Sequence, residues 1–337
     1  MISPDYPNAH WHESMCRLLI GDFPAGWPKY EWRWRTEVGA NEKRTFAQPL
    51  WLGEQNIAGN TVLVHAEQGL GDTIQFCRYA TLLANCGAHV VLEVQLPLVR
   101  LIASLGVGTV VAFGDRLPPF DLHCPLLSLP LAFQTTLETI PAPQSYLSAD
   151  PIQAEAWRRR LAPLPGRRVG LVWAGLARRN QPDAMATDRR RSITLGHLAP
   201  LAALPGVSFI SLQKGEPATQ TRSPPAGMQV HDFTDELADF ADTAALVVGL
   251  DLVISVDTAV AHLAGALGTE VWILNRFDTC WRWLLNRDDS PWYPSARLFR
   301  QPSFGDWDSV IDRIGNELRA NCAPNGGTGA ALRKMNR

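Results

Sequence analysis

From Asn60 onward the chain alternates between two hydrophobic periodicities. Compact aliphatic and β-branched runs predict strands at residues 61–65, 89–94 and 109–113, then again at 169–173, 207–212, 252–255 and 270–274. Between them, apolar residues recur every three or four positions, which predicts helices over 72–85, 195–203, 235–248 and 258–267. Strands separated by helices imply parallel sheets with crossover connections, hence an α/β fold. Residues 139–144, with Pro141 and Pro143, interrupt the alternation and read as a linker. Two doubly wound halves of similar size then imply a deep cleft at the carboxyl ends of both sheets.

The first part of the chain differs. Residues 10–20 form a short amphipathic pattern, Gly21-Asp22-Phe23 breaks it, and Trp27-Pro28 opens a second segment through Arg35. The run Gly21-Asp22-Phe23-Pro24-Ala25-Gly26-Trp27 into Tyr30-Glu31-Trp32-Arg33-Trp34 resembles the last tetratricopeptide repeat before a sugar-transfer domain. One such repeat cannot bury its own apolar face, so it must dock on the neighbouring α/β domain or be the stub of a longer array. The expected organisation is a helical hairpin at 1–48, a first α/β domain at 49–144, a second at 145–320, and a disordered tail at 321–337.

Composition narrows the function. The 337 residues carry a formal net charge of −2, which argues against nucleic acid or an anionic membrane as the main partner. No apolar stretch is long enough to span a bilayer, and the first residues lack a signal-peptide pattern, so a cytoplasmic protein is expected. Six cysteines without a C-x-x-C pair read as reduced, mostly buried thiols, and no residue cluster has metal-ligand spacing. Only four of the 31 basic residues are lysine, and ten arginines lie between Arg158 and Arg191. Arg158–Arg160 and Arg167–Arg168 read as a solvated surface, which leaves Arg191 as a candidate for chemistry.

Two loops are candidates for that chemistry. His65-Ala66-Glu67-Gln68-Gly69-Leu70-Gly71-Asp72-Thr73 joins the first strand to the first helix, where an α/β domain places a ligand loop. Gly69 and Gly71 permit close backbone approach, and Asp72 occupies a helix-capping position; this is neither a dinucleotide fingerprint nor a P-loop. His65 and Glu67 stand where they could orient Asp72 or an acceptor, although loop hydrogen bonds would explain them equally well. Late in the chain, Ser255-Val256-Asp257-Thr258-Ala259-Val260-Ala261-His262 passes from a strand directly into a small-residue helix. Free N–H groups at such a helix start favour anions, with the Thr258 hydroxyl as a further donor. His262 shares a helix face with Thr258 and is with it a candidate for donor binding; taken alone, it reads as a satisfied, partly buried histidine.

The order Gly71-Asp72, then Asp257-Thr258 and His262-Leu263-Ala264-Gly265-Ala266-Leu267-Gly268, resembles glycosyltransferase family 9, the heptosyltransferase family. It is most similar to the branch in which that domain follows tetratricopeptide repeats. Val172-Trp173-Ala174-Gly175 with Asp188 and Arg191-Ser192-Ile193 extends the match, as does Trp281-Arg282-Trp283 with Asp289-Ser290-Pro291-Trp292-Tyr293-Pro294. The resemblance implies a GT-B fold and a metal-independent, inverting transfer of sugar from a nucleotide-sugar, with no cofactor. It makes Asp72 the general base, assigns Thr258, Ala259, Val260 and nearby amides to the donor diphosphate, and lets Asp257 reach the donor sugar. The family's second-domain lysine has no direct match; Arg191, or Lys214 beside Gln213, would supply that charge.

The expected acceptor is a protein or saccharide hydroxyl. A nucleotide-sugar epimerase on the same fold, or a non-catalytic module binding nucleotide, sugar or protein, are the competing readings. Trp281, Trp283, Trp292 and Trp307 read mainly as cross-domain packing, and Asp306-x-Asp308 as a helix start.

Overall fold

The computed structural model describes residues 5–176 and 182–322. Two fully parallel sheets form its frame. The first contains β1 (Thr61–His65), β2 (His89–Val94), β3 (Thr109–Ala112) and β4 (Leu122–Pro125), in the order β3-β2-β1-β4. The second contains β5 (Arg167–Val172), β6 (Val207–Ser211), β7 (Val230–Asp232), β8 (Leu252–Val256), β9 (Val271–Asn275) and β10 (Ala296–Arg300). Its order is β10-β9-β8-β5-β6-β7, so the strand order reverses between β5 and β8. That reversal is the switch point at which open α/β sheets hold ligands.

Central strands are covered on both faces, which is why they read as unbroken apolar runs: every residue of β8 and β9 is buried. One apolar core is continuous across both sheets, joining Val62 and Phe76 to Val253, Trp281 and Trp292. A second lies on the far face of the larger sheet, under the helix Asp308–Cys322.

The seven strands read from periodicity are present with ends shifted by at most a few residues. Three others are not visible in it. β4 carries His123 and ends on Pro125, β7 is three residues long, and β10 is interrupted by Arg297, which pairs with Glu317. The helix expected over 72–85 is two, Leu70–Phe76 and Tyr79–Asn85. At the break Arg78 is buried and donates to the Gln75, Pro141 and Trp292 carbonyls and to Tyr146 Oη. The helix expected from 235 begins at Phe240, where Asp239 caps it by accepting from Ala241 and Asp242 N–H. Residues 195–201 are a 3-10 helix interrupted by Pro200. The expected disordered tail starts too early: Asn321 and Cys322 complete the last helix, and 323–337 lie outside the described residues.

The N-terminal segment forms helices Pro7–Leu19, Phe23–Tyr30 and Glu37–Glu42 with a 3-10 turn at Glu31–Arg35. It docks on the rest of the chain through Phe23, Trp27 and Arg33. A Cβ at Gly26 would lie 2.6 Å from Leu18 Cδ2, so this glycine leaves room for the Leu18 side chain between the first two helices. Trp27 Nε1 donates to Thr135 O at 2.9 Å, and its ring meets Trp281 edge-on at 5.4 Å. Phe23 lies 6.1 Å from Trp292. The tryptophans therefore pack: Trp281, Trp283, Trp292 and Trp307 are all buried.

Among the described residues no helix is long and apolar enough to cross a membrane. Cys77 and Cys124 are buried and Cys280 is half-buried, but Cys16 and Cys86 are exposed, so the expectation of mostly buried thiols holds only in part.

Candidate functional site

β1 ends in a loop whose backbone is forced into an uncommon shape. Gln68 has φ of +60°, a left-handed conformation costly for a residue with a side chain, and Gly69 follows as the N-cap of Leu70–Phe76. Asp72, three residues into the turn, folds back so that its Oδ2 accepts the Gly69 N–H at 2.8 Å. Its Oδ1 faces the other half of the molecule and pairs with Arg282 Nη2. Gly71 is needed for that meeting: a Cβ there would lie 2.8 Å from His262 Cδ2 and 3.4 Å from Ala259 Cα. The two helices, one from each half, touch at this glycine.

Opposite stands the helix Ala259–Leu267, entered directly from β8. Thr258 is its N-cap in an extended conformation, but the side chain does not cap. Its hydroxyl lies 3.0 Å from Ser255 Oγ instead. Among the described residues nothing accepts from the Ala259 and Val260 N–H groups, so the positive end of the helix opens toward the cleft. Arg191 Nη1 donates to Asp257 O at 2.8 Å, while its Nε and Nη2 both hold Asp188 Oδ1. Gly175 makes room for this pair; a Cβ there would lie 2.0 Å from Asp188 Oδ1.

These groups line one cleft of about 750 Å³ between the carboxyl ends of the two sheets. Asp72, Gly69 and Gly71 contribute from the first half. Asp257, Thr258, Ala259, Val260, His262, Arg191, Gln213 and Lys214 contribute from the second. Two of them hold the cleft's shape. Gln213 Oε1 accepts from Trp173 and Ala174 N–H, and its Nε2 donates to the Ala174 and Lys214 carbonyls, so its side-chain hydrogen bonds close on the backbone. The Lys214 ammonium donates to Thr234 O and Leu237 O at 2.5 and 2.8 Å. His262 is buried, shares a 2.8 Å hydrogen bond with Tyr293 Oη through Nδ1, and stacks on Trp283. Burial, reinforced by the Arg282 charge, pushes its pKa down to about 3, so the ring is neutral near pH 7.

Glu67 is a correction. It does not line the cleft; mostly shielded from solvent, it accepts from Arg33 Nε and Nη2 at 2.9 and 2.8 Å and from Leu127 N–H at 3.1 Å. It ties the N-terminal segment to the first sheet. His65 is likewise remote from Asp72, its Nε2 lying 3.3 Å from His123 Nδ1. Asp306 accepts from Ser309 N–H and Oγ, which makes it a helix cap. Arg158 and Arg159 pair with Glu155 and Arg160 with Glu236 on an exposed surface, as expected, whereas Arg167, paired with Glu270, and Arg168, paired with Asp251, are half-buried on β5.

Arg282 has no signal of its own in the sequence beyond its place in the Trp281-Arg282-Trp283 run. Its Nε donates to Gln75 Oε1 at 2.9 Å and its guanidinium lies 4.3 Å from the Trp281 ring centroid. Burial alone disfavours this cation; Asp72 and Cys280 beside it more than offset that and hold its pKa above the usual arginine value.

No protein-family model matches the chain. It is 28% identical over 327 residues to Protein FlbA of Caulobacter vibrioides, covering 90% of this chain and 53% of that protein. The chain therefore spans about half the length of the curated relative it matches. Among solved structures, a family 9 glycosyl transferase from Veillonella parvula superposes with a TM-score of 0.55 at 10% identity, covering 79% of this chain and 99% of that one. The chain has the GT-B fold of that family. E. coli ADP-heptose lipopolysaccharide heptosyltransferase II gives a TM-score of 0.52 at 13% identity over 77% of this chain and 99% of its own. At these identities the likeness is one of fold, and the chemistry has to be read from the cleft.

Proposed function

We propose that the chain is a glycosyltransferase that moves a sugar from a nucleotide-sugar to a protein or saccharide hydroxyl, inverting the anomeric carbon without a metal ion. The observation that carries this reading is the pairing, within one cleft, of a carboxylate on one helix start with exposed N–H groups on another. Asp72 takes the proton of the acceptor hydroxyl as that oxygen bonds to the anomeric carbon. The bond from that carbon to the diphosphate breaks, and its electron pair leaves with the nucleoside diphosphate. The Ala259 and Val260 N–H groups and the helix dipole stabilise the departing charge, with Thr258 holding the helix start through its hydrogen bond to Ser255. One displacement from one face gives inversion.

Arg191 is the cation better suited to the phosphate. It is anchored on Asp257 O beside the helix start, whereas the Lys214 ammonium is held by two carbonyls. The fold shared with the E. coli ADP-heptose heptosyltransferase supports a nucleoside diphosphate donor.

The test is to incubate the chain with ADP-, GDP-, UDP- and dTDP-linked sugars, with peptide and saccharide acceptors, and to measure nucleoside diphosphate release and labelled product with and without a strong chelator. Product formed equally in both conditions is expected. Activity lost to the chelator and restored by manganese or magnesium would reject the metal-free step. Conversion of donor to an isomer with no acceptor present would place the chain among the epimerases.

A further inference from the structure

Asp72 and Arg282 are 210 positions apart and come from opposite halves, yet they form the one direct charge pair across the floor of the cleft among its described lining residues. The pair is well held. The Asp72 side chain is 19% exposed and that of Arg282 9%. Arg282 is fixed at three further points: Nε on Gln75 Oε1, Nη1 on Cys280 Sγ at 3.3 Å, and its plane over the Trp281 ring. Gln75 lies one helical turn beyond Asp72, so both partners of Arg282 in the first half stand on the same short helix, Leu70–Phe76.

The carboxylate is thereby oriented from two sides, Oδ2 by the Gly69 N–H and Oδ1 by the guanidinium. An ionised carboxylate offers about four lone-pair sites, so these two bonds leave capacity for an incoming hydroxyl while removing freedom to rotate. An arginine suits this task better than a lysine, because its rigid planar fork engages Asp72 and Gln75 at once.

We propose that Arg282 is the positioning residue of the transfer step, holding the Asp72 carboxylate in the orientation from which it accepts the acceptor's proton. This rests on the transfer reading of the cleft. Arg282 does not itself take part in proton movement: the proton passes from the acceptor oxygen to Asp72, and the electron pair of the broken bond leaves with the nucleoside diphosphate. Its effect runs through Asp72, which separates it from a residue that merely holds the halves together or binds donor.

The experiment is a double-mutant cycle in the full chain, read as nucleoside diphosphate release from the panel of ADP-, GDP-, UDP- and dTDP-linked sugars. Arg282→Gln is expected to lower kcat about 10- to 100-fold, with donor KM and nucleoside diphosphate Kd within about twofold of the parent. In an Asp72→Asn background the same substitution should change turnover by less than about twofold, because the group it positions is already gone. Arg282→Lys, which keeps charge without the fork, should fall between. Should Arg282→Gln not fold, Gln75→Leu keeps both charges but frees one side of the guanidinium, and should lower kcat with KM unchanged. Effects of Arg282→Gln and Asp72→Asn that multiply, or a raised KM with kcat intact, would overturn the proposal alone. A parent chain that turns over none of these donors would remove the transfer reading, and this inference with it.

Discussion

The cleft is built from two helix starts that solve the same problem in opposite ways. Each follows a buried parallel strand and each has unpaired N–H groups in its first turn. At Leu70–Phe76 the chain closes its N-cap with a carboxylate: Asp72 curls back to Gly69 N–H and its negative charge sits against the positive helix terminus, although the Leu70 and Gly71 N–H groups have no acceptor among the described residues. At Ala259–Leu267 the residue that could cap turns away, Thr258 toward Ser255, and the first N–H groups stay open. Asp239, at the start of Phe240–Val247, shows that this protein caps a helix in the ordinary way elsewhere. The closed start offers a base and the open start offers a seat for negative charge. Gly71, touching Ala259 and His262, sets them face to face.

The strongest way to break this contrast is at the closed end. Asp72→Asn preserves the shape and most of the cap but removes the base, so transfer should fall at least about 100-fold while the nucleoside diphosphate Kd measured by calorimetry stays unchanged. Retained turnover would show that the carboxylate only caps.

At the open end, the two cations should differ. Arg191→Gln should weaken nucleoside diphosphate binding about 10- to 100-fold, the scale of a charged hydrogen bond, and Lys214→Gln much less. The reverse order would move the anion site toward Lys214.

The contact between the two starts has a pH signature. His262 is neutral in the fold, with a pKa lowered to about 3 from a reference of 6.5. For a depressed histidine the unfolded chain binds the extra proton, so there is no cost above about pH 6.5, and stability is lost progressively as pH falls below it. At pH 5 the loss from this group is about 2 kcal/mol. Urea melts at pH 7.5 and pH 5 should therefore differ more for the parent than for His262→Asn; equal differences would mean the ring is hydrated.

The smallest effect is expected at the cap itself. Thr258→Val removes the hydroxyl that braces the helix start on Ser255 and should weaken nucleoside diphosphate binding about threefold to tenfold. No change would leave the backbone N–H groups and Arg191 to hold the anion without it.

Much of this architecture is legible in the sequence because it is local. The central strands are apolar runs of β-branched residues, and both helix starts are short patterns in which one residue, Asp72 or Thr258, stands at a position with a fixed relation to the backbone. The likeness of those patterns to a known family suggests the roles proposed for them. The features that escape the sequence are non-local or polar. β4 and β10 depend on neighbours already in place and carry His123 and Arg297, which dilute the apolar signal. Arg282 acquires its meaning only when residue 72 is brought beside it, and nothing in a run of three residues says that. Glu67, next to the glycine loop, looks as eligible as Asp72; its side chain points the other way, into a buried pair with Arg33 from a segment outside the sheets. Gln213 and Lys214 line the cleft as expected, but their polar atoms are satisfied by the backbone they brace.

The most direct measurement is a structure of the chain with a nucleoside diphosphate bound. The account predicts phosphate oxygens accepting from the Ala259 and Val260 N–H groups, with the distal phosphate facing Asp72 across the cleft. A nucleotide seated elsewhere, or with its phosphates turned away from that helix start, would contradict it.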